Sequence, residues 1–371
     1  MKIIMFYHSL LSDWNHGNAH FLRGIATELI DHGNEVEVYE PANSWSYTNM
    51  IADNGEEINN DFYDHYPLLK SNRYDPKKLN LDKILIDADL VIVHEWNEPA
   101  LISAIAEKKE TYSFKILFHD THHRAATDKS SMNKFDLHDY DGVLVFGEKI
   151  KKIYEEERWA KNVWTWHEAA DTRIFKPLPG YLKDDLVWIG NWGDNERTKE
   201  LFEFIIDPVK ELKLKATFYG VRYPPKAIKA LKEAGINYGG WLPNYKVPEV
   251  FAGYRFTVHV PRRPYVEALP GIPTIRPFEA LSCGIPLISA PWNDIENLFR
   301  PGKDFVFAHN KNQMKDWMNK ITTDDKLAES LSAHGIQTIL KKHTCAHRVD
   351  ELYTICDEIG VKNILKQKIE K

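Results

Sequence analysis

Cysteine is scarce. The 371 residues hold only Cys283, Cys345 and Cys356, an odd number with no paired spacing. Neither a disulfide framework nor a zinc site is implied, and a reducing, cytoplasmic setting is expected. Long apolar runs are missing too: no stretch approaches the roughly 18 residues that a spanning helix needs. The opening run Met1 to Tyr7 is interrupted by His8 too early for a secretory leader. No integral membrane association is therefore expected. Nor does charge of one sign dominate, because 48 Lys+Arg against 54 Asp+Glu leave a formal net charge of -6. That balance argues against holding nucleic acid by a broad cationic face. Three familiar signatures are absent as well. Without Gly-x-Gly-x-x-Gly after the first strand, a dinucleotide redox enzyme is disfavoured, and without a Gly-Lys-Ser/Thr loop so is phosphoryl transfer of the Walker type. No Gly-x-Ser-x-Gly elbow marks a serine hydrolase.

What is present reads as an ordinary soluble protein, with 43% hydrophobic and 27% charged residues. At roughly 150 residues per domain the length favours two domains. Short apolar runs alternate with helix-length amphipathic segments. Strands are expected at Lys2 to Tyr7, Glu35 to Tyr39, Leu90 to His94, Phe114 to Phe118, Gly142 to Phe146 and Val163 to Trp166. Helices are expected at Ala19 to Asp31, Pro99 to Lys109 and Glu148 to Arg158. Pro177, Pro179 and Gly180, followed by Lys183-Asp184-Asp185, read as a linker. The alternation then restarts at Leu186 and ends in helices. The expected fold class is α/β: two tandem Rossmann-like, doubly wound parallel sheets and a helical C-terminal tail. The expected boundaries are 1–178, 179–342 and 343–371, the tail packing back on the first domain. Residues 41–80, with Trp45, Tyr47, Tyr63, Tyr66 and Tyr74, break the alternation and read as an insertion or long loop. Aromatics reach 12%, including 11 Trp, which fits clefts that contact rings or sugars, though core and rim packing accounts for most of them equally well.

The most informative run is Thr274-Ile275-Arg276-Pro277-Phe278-Glu279-Ala280-Leu281-Ser282-Cys283-Gly284-Ile285-Pro286. A loop enters a short helix at Pro277, Glu279 sits in its first turn, Gly284 ends it, and Pro286 opens a buried strand. Helix-start amides can hold a diphosphate, and a first-turn carboxylate can accept from a ribose diol. A plain carboxylate favouring the helix dipole gives the same pattern.

This run resembles the Arg-x-x-Glu-Ala-x-x-x-Gly-x-Pro motif of GT-B glycosyltransferases of the retaining, group 1 type, closest to the CgeB-like (spore maturation) branch. The tandem units and helical tail fit that family as well. The resemblance implies that Glu279 binds the ribose of a donor nucleotide and that the amides of Phe278 and Glu279 face its diphosphate. Many members carry a second glutamate eight positions upstream, where this chain has Gly271. Either the backbone from Pro270 to Thr274 makes the sugar contact, or Glu267 does so after a loop shift.

A departing diphosphate builds negative charge that fixed cations must meet. Candidates are Arg197 and Lys199, which follow the Gly190 loop, together with Arg262, Arg263 and Arg276. In the loop after the first strand, Gly17 and Asn18 are candidates for close backbone approach to the donor, although an Asn-capped helix start reads the same way. The family resemblance places His119 near the transferred sugar as a catalytic candidate. Glu95, Glu98 and Asp120 are acceptor-side candidates. His122 and His123 beside His119 form no convincing metal set, so neither metal nor other cofactor is expected.

The implied activity is transfer of a sugar from a nucleotide-diphosphate sugar, UDP-sugar favoured, to an acceptor: glycan, protein, small molecule or modified DNA. A small basic patch at Lys70, Arg73, Lys77 and Lys78 is the feature that speaks for DNA. A nucleotide-sugar epimerase or a non-catalytic nucleotide-sugar-binding protein are the alternatives.

Overall fold

In a computed structural model that describes residues 1–180 and 182–361, the chain forms two units. Met1–His167 and the described residues from Cys345 on make one, and Glu168–Thr344 the other.

The first unit is built on seven strands: β1 (Lys2–Phe6), β2 (Glu35–Pro41), β3 (Ser71–Tyr74), β4 (Leu90–His94), β5 (Lys115–Asp120), β6 (Gly142–Val145) and β7 (Val163–Thr165). They lie in the order β3-β2-β1-β4-β5-β6-β7, every pair parallel. Helical crossovers cover such a sheet on both faces, so the central strands are continuously apolar and Ile3 to Phe6 and Leu90 to Val93 are fully buried. The chain winds outward from β1 to β3 and resumes on the other side with β4. The sheet therefore reverses between β1 and β4, and loops leaving these two strands diverge there to open a crevice.

Six strands carry the second unit: β8 (Asp184–Ile189), β9 (Ala216–Tyr219), β10 (Ile236–Tyr238), β11 (Tyr254–His259), β12 (Leu287–Ser289) and β13 (Val306–Phe307). Their order is β10-β9-β8-β11-β12-β13, again all parallel. Along β8, Leu186 and Trp188 enter one apolar cluster while Val187 and Ile189 enter another, as the two-residue period of a strand requires. This sheet reverses between β8 and β11.

Three expectations need correction. Residues 41–80 are not a loop: they form the helices Trp45–Asn54 and Ile58–His65 and the edge strand β3. Ser44 caps the first helix by accepting the Tyr47 amide at 3.4 Å. The sequence of β3, Ser-Asn-Arg-Tyr, shows no apolar run because an edge strand is half solvated. The Pro177–Gly180 turn lies within the second unit rather than at a junction. Finally, the motif helix begins at Ile275, two residues before Pro277.

The helix Cys345–Glu358 belongs to the first unit. Trp166 Nε1 donates to the Arg348 carbonyl at 2.8 Å, and Asn34 Nδ2 to the Tyr353 hydroxyl at 2.7 Å. Residues 362–371 of the expected tail lie outside the described residues.

Candidate functional site

At the reversal point of the second sheet, the Gly190 to Glu196 loop leaving β8 meets the end of β11. Arg197 fastens them. Its Nη1 donates to the Val260 carbonyl at 3.1 Å, its Nη2 to the Asn191 carbonyl, and its guanidinium lies 5.1 Å from the Trp188 ring centroid. Gly193 makes room for this: its φ is +78°, and a Cβ there would stand 2.7 Å from Arg197 Nε. Burial, with Arg262 and Arg276 nearby, pushes the Arg197 guanidinium down to about 9.

His259, the last residue of β11, shares that field. Burial and the charges of Arg197 and Arg276 push its imidazole down to about 3. Ser289 Oγ gives its proton to the Ala290 carbonyl at 2.8 Å, so His259 Nδ1 is the donor in its 3.0 Å bond to Ser289. In a neutral ring Nε2 then carries a lone pair, and it has no partner among the described residues.

The motif helix Ile275–Cys283 packs beside these strands. Gly284 closes it at φ +71°. Because the helix starts at Ile275, Glu279 sits in the second turn, and the first turn has no acidic residue. The expected amide roles fail for the same reason. The orphan donors of a helix are its first few N–H groups, so Phe278 and Glu279 lie within the ladder, and Pro277 has no N–H to offer. The open amides are those of Thr274, Ile275 and Arg276, and the Phe278 ring is buried against Phe299 and His343. Glu279 itself is fully enclosed: Oε1 accepts from Asn244 Nδ2 at 2.6 Å and Oε2 pairs with Arg276. A ribose reaches this carboxylate only by displacing Asn244 or Arg276.

The remaining cations separate. Arg262 bonds Glu196 at 3.1 Å and lies near Arg197. Arg263 turns away, pairing with Glu200 at 3.1 Å and donating to the Asn195 carbonyl. Lys199 is exposed on the helix Thr198–Leu201. The structure thus gathers Arg197, Arg262 and Arg276, and leaves Arg263 and Lys199 outside. Gly271 has φ +97°, and a Cβ there would stand 2.8 Å from Glu296 Oε1. A glutamate could not sit at 271 without displacing Glu296, a carboxylate the sequence reading missed. Glu267 is exposed at the end of its own short helix.

In the first unit, the loop after β1 is pinned by two buried charges that sequence pattern did not expose. Arg23 donates to the Leu10 and Leu11 carbonyls, each at 2.9 Å, and pairs with Asp13 at 2.8 Å. Glu40 accepts from Ser9 Oγ at 2.6 Å and from the Leu10 amide at 2.9 Å. Gly17 is exposed on this loop; Asn18 is buried, and its side chain does not cap the helix it precedes.

The first-unit candidates are more enclosed than expected. His119 is fully buried among Tyr7, Phe21, His94 and Trp166, with Nδ1 2.7 Å from the Tyr7 hydroxyl. Burial pushes it down to about 3. It cannot touch a sugar as placed. Glu95 and Asp120 are likewise interior rather than acceptor-facing. Glu95 accepts the Thr121 amide at 3.1 Å and pairs with Arg124; Asp120 accepts from Tyr154 Oη at 2.8 Å. Burial and the Asp120 charge hold Glu95 well above the usual carboxylate range. Glu98, by contrast, is exposed ahead of the helix Pro99–Glu107. Among the described residues no three His, Cys, Asp or Glu side chains form a metal-binding group, and no helix is long and apolar enough to cross a membrane.

Two tandem parallel Rossmann-like sheets define the GT-B fold. Residues 197–354 match the sequence family described as glycosyl transferase-like. Solved structures share the fold along nearly the whole chain. Sucrose-phosphate synthase from Thermosynechococcus elongatus is 14% identical, with a TM-score of 0.65 over 96% of this chain and 100% of that one. HepE of Anabaena, solved with UDP and glucose, is 11% identical, with a TM-score of 0.67 over 96% and 99%. The T4 phage β-glucosyltransferase in complex with UDP-glucose is 15% identical, with a TM-score of 0.59 over 97% and 100%. No curated protein sequence matches the chain.

Proposed function

We propose that this chain is a cytoplasmic, retaining glycosyltransferase of the group 1, CgeB-like type, which takes its sugar from a nucleoside-diphosphate donor, UDP-sugars foremost. The observation that carries the reading is the gathering of Arg197, Arg262 and Arg276 at the β8/β11 reversal. Arg262 and Arg276 carry the carboxylates Glu196 and Glu279, but Arg197 donates to carbonyls and has no carboxylate partner among the described residues, and a bound diphosphate supplies the negative charge it lacks. Solved structures of the same fold, those of Anabaena HepE and the T4 phage enzyme, hold UDP with glucose and UDP-glucose respectively.

In the reaction the bond from the anomeric carbon to the diphosphate oxygen breaks, and its electron pair leaves with the nucleoside diphosphate. The acceptor oxygen bonds to that carbon, and its proton passes to the departing diphosphate. Charge on the leaving group is met by the three guanidiniums and by the open amides from Thr274 to Arg276, without a metal. Glu279 engages the ribose once Arg276 swings from it onto phosphate. Glu296, beside Gly271, is assigned to the donor sugar's hydroxyls, and the first unit to the acceptor.

The test is nucleotide release from UDP-glucose, UDP-galactose, UDP-N-acetylglucosamine and GDP-mannose, with and without a pool of saccharide acceptors. Acceptor-stimulated release from a UDP-sugar, abolished in Arg197→Gln, is expected. No release from any donor would contradict the reading.

A further inference from the structure

We propose that the carboxyl end of the first sheet binds an uncharged carbohydrate, seated on the indoles of Trp45 and Trp96. The proposal rests on the transferase reading and names the class of its acceptor.

The two indoles are each 39% exposed, on an end of the sheet where most other rings are buried. Trp45 opens the helix that follows β2 and Trp96 stands on the loop leaving β4, on either side of His8 just past β1, next to the β1/β4 reversal. The His8 ring lies 4.9 Å from Trp45 and 6.4 Å from Trp96, centroid to centroid. Trp14 packs edge-on against Trp45 at 6.1 Å, and its Nε1 donates to Asp53 at 2.8 Å.

Trp96 is held in place. Its amide donates to His94 Nδ1 at 3.4 Å, Arg124 lies 4.6 Å over its ring, and His122 meets it edge-on at 5.3 Å. Because Nδ1 of His94 accepts, its Nε2 donates to Thr121 Oγ1 at 3.0 Å, which fixes the imidazole under the loop. An exposed ring already held rigid loses little freedom when a ligand stacks on it.

Hydrogen-bond capacity lies beneath the rings. His8 Nε2 and His16 Nε2 have no partner among the described residues, although the two side chains are only 6% and 7% exposed. The His16 ring donates to the Ser9 backbone, so its Nε2 carries a lone pair that accepts from a hydroxyl.

Charge decides the ligand class. Burial pushes His8 down to about 4 and holds His16 and His94 well below the ordinary histidine range, so these walls are neutral at pH 7. The nearby cations among the described residues, Arg124 and Arg23, pair with Glu95 and Asp13. A phosphate or carboxylate ligand would meet no spare positive charge. A polynucleotide would also meet Asp53, Asp61 and Asp64 on the two adjoining helices and Glu56 and Glu57 in the turn between them; Asn59 and Tyr47 tie the helices together at 2.9 Å. A sugar ring instead offers C–H faces to indoles and hydroxyl donors to imidazole lone pairs.

The test uses the whole chain and the variants Trp45→Ala and Trp96→Ala, whose side chains are exposed enough to leave the fold intact. Maltotriose, cellotriose, N-acetylchitotriose, a sulfated oligosaccharide and a short single-stranded oligodeoxynucleotide are titrated by saturation-transfer NMR. Stabilisation by UDP is read in parallel. At least one neutral saccharide is expected to bind the native chain and to weaken about tenfold in each variant, with the UDP response unchanged. Neutral saccharides that fail to bind a chain that does bind UDP would overturn the proposal. So would saccharide affinity indifferent to both substitutions, or tryptophan-dependent binding of the oligonucleotide in place of the saccharides. Tryptophan-dependent saccharide binding without any nucleotide response would keep this site and sink the transferase reading.

Discussion

Arg197 and Val260 join the two strands at which the second sheet reverses, the guanidinium donating to the carbonyl at 3.1 Å. The same side chain therefore shapes the β8 loop and supplies charge to the crevice beside it. Truncating it should remove both functions. Arg197→Ala is expected to weaken nucleotide-diphosphate binding by about tenfold or more, because hydrogen bonds to charged groups contribute roughly 1.5–3 kcal/mol. Titration calorimetry with UDP reads this directly. An affinity equal to that of the native chain would remove Arg197 from the site.

Glu279 and Arg276 form a buried pair one helical turn apart. Glu279→Ala leaves Arg276 without its carboxylate and Asn244 without its acceptor, so about 3 kcal/mol of destabilisation is expected. Glu279→Gln keeps the shape and the Asn244 contact and should cost less. Denaturant unfolding of the two variants separates these outcomes. If the glutamine variant is as unstable as the alanine one, the pair is not what the carboxylate contributes.

Gly271 occupies a conformation that side chains disfavour, with Glu296 beside it. Gly271→Ala is expected to cost about 1–2 kcal/mol, most of it backbone strain. A fall of a few degrees in the unfolding midpoint would report this. An unchanged midpoint would mean that the loop accommodates a Cβ freely.

Acid should unfold the protein early. His8 is pushed to about 4, and His119 and His259 to about 3, by burial. The unfolded chain takes up protons near pH 6.5 while the folded chain refuses them. Stability is thus complete above about pH 6.5 and lost as the pH falls towards 4, at up to roughly 1.4 kcal/mol per pH unit for each group. Glu95, raised by burial and by the Asp120 charge, works the other way and blunts the slope. His119→Leu should flatten the fall of the unfolding midpoint measured across this range. A midpoint that does not drop on acidification would contradict neutral burial of these rings.

Much of the fold was legible because both sheets are parallel and doubly covered. The buried strands β1, β4, β5, β8 and β11 show as apolar runs, and Gly284 marked the end of the motif helix. The polar edge strand β3 and the brief β10 escaped notice, since edge positions need no apolar run. In the candidate site, residue types marked loops at the strand ends without saying which way side chains turn. Arg262 and Arg263 are neighbours in sequence, yet one lies near Arg197 and the other turns to Glu200. Burial was the least legible property. His119, Glu95 and Asp120 look like surface chemistry at strand ends, but the loops after β1 and β5 close over them. Trp96, which sits among them, carried no motif at all.

Thermal stabilisation by UDP, GDP, ADP and CMP, compared between the native chain and Arg197→Gln, tests the central claim most directly. A ligand that binds only the native state raises its apparent stability by mass action. A clear upward shift with UDP that is lost in Arg197→Gln is the predicted result. No shift with any nucleotide, or a shift indifferent to Arg197, would contradict a donor site at the β8/β11 reversal.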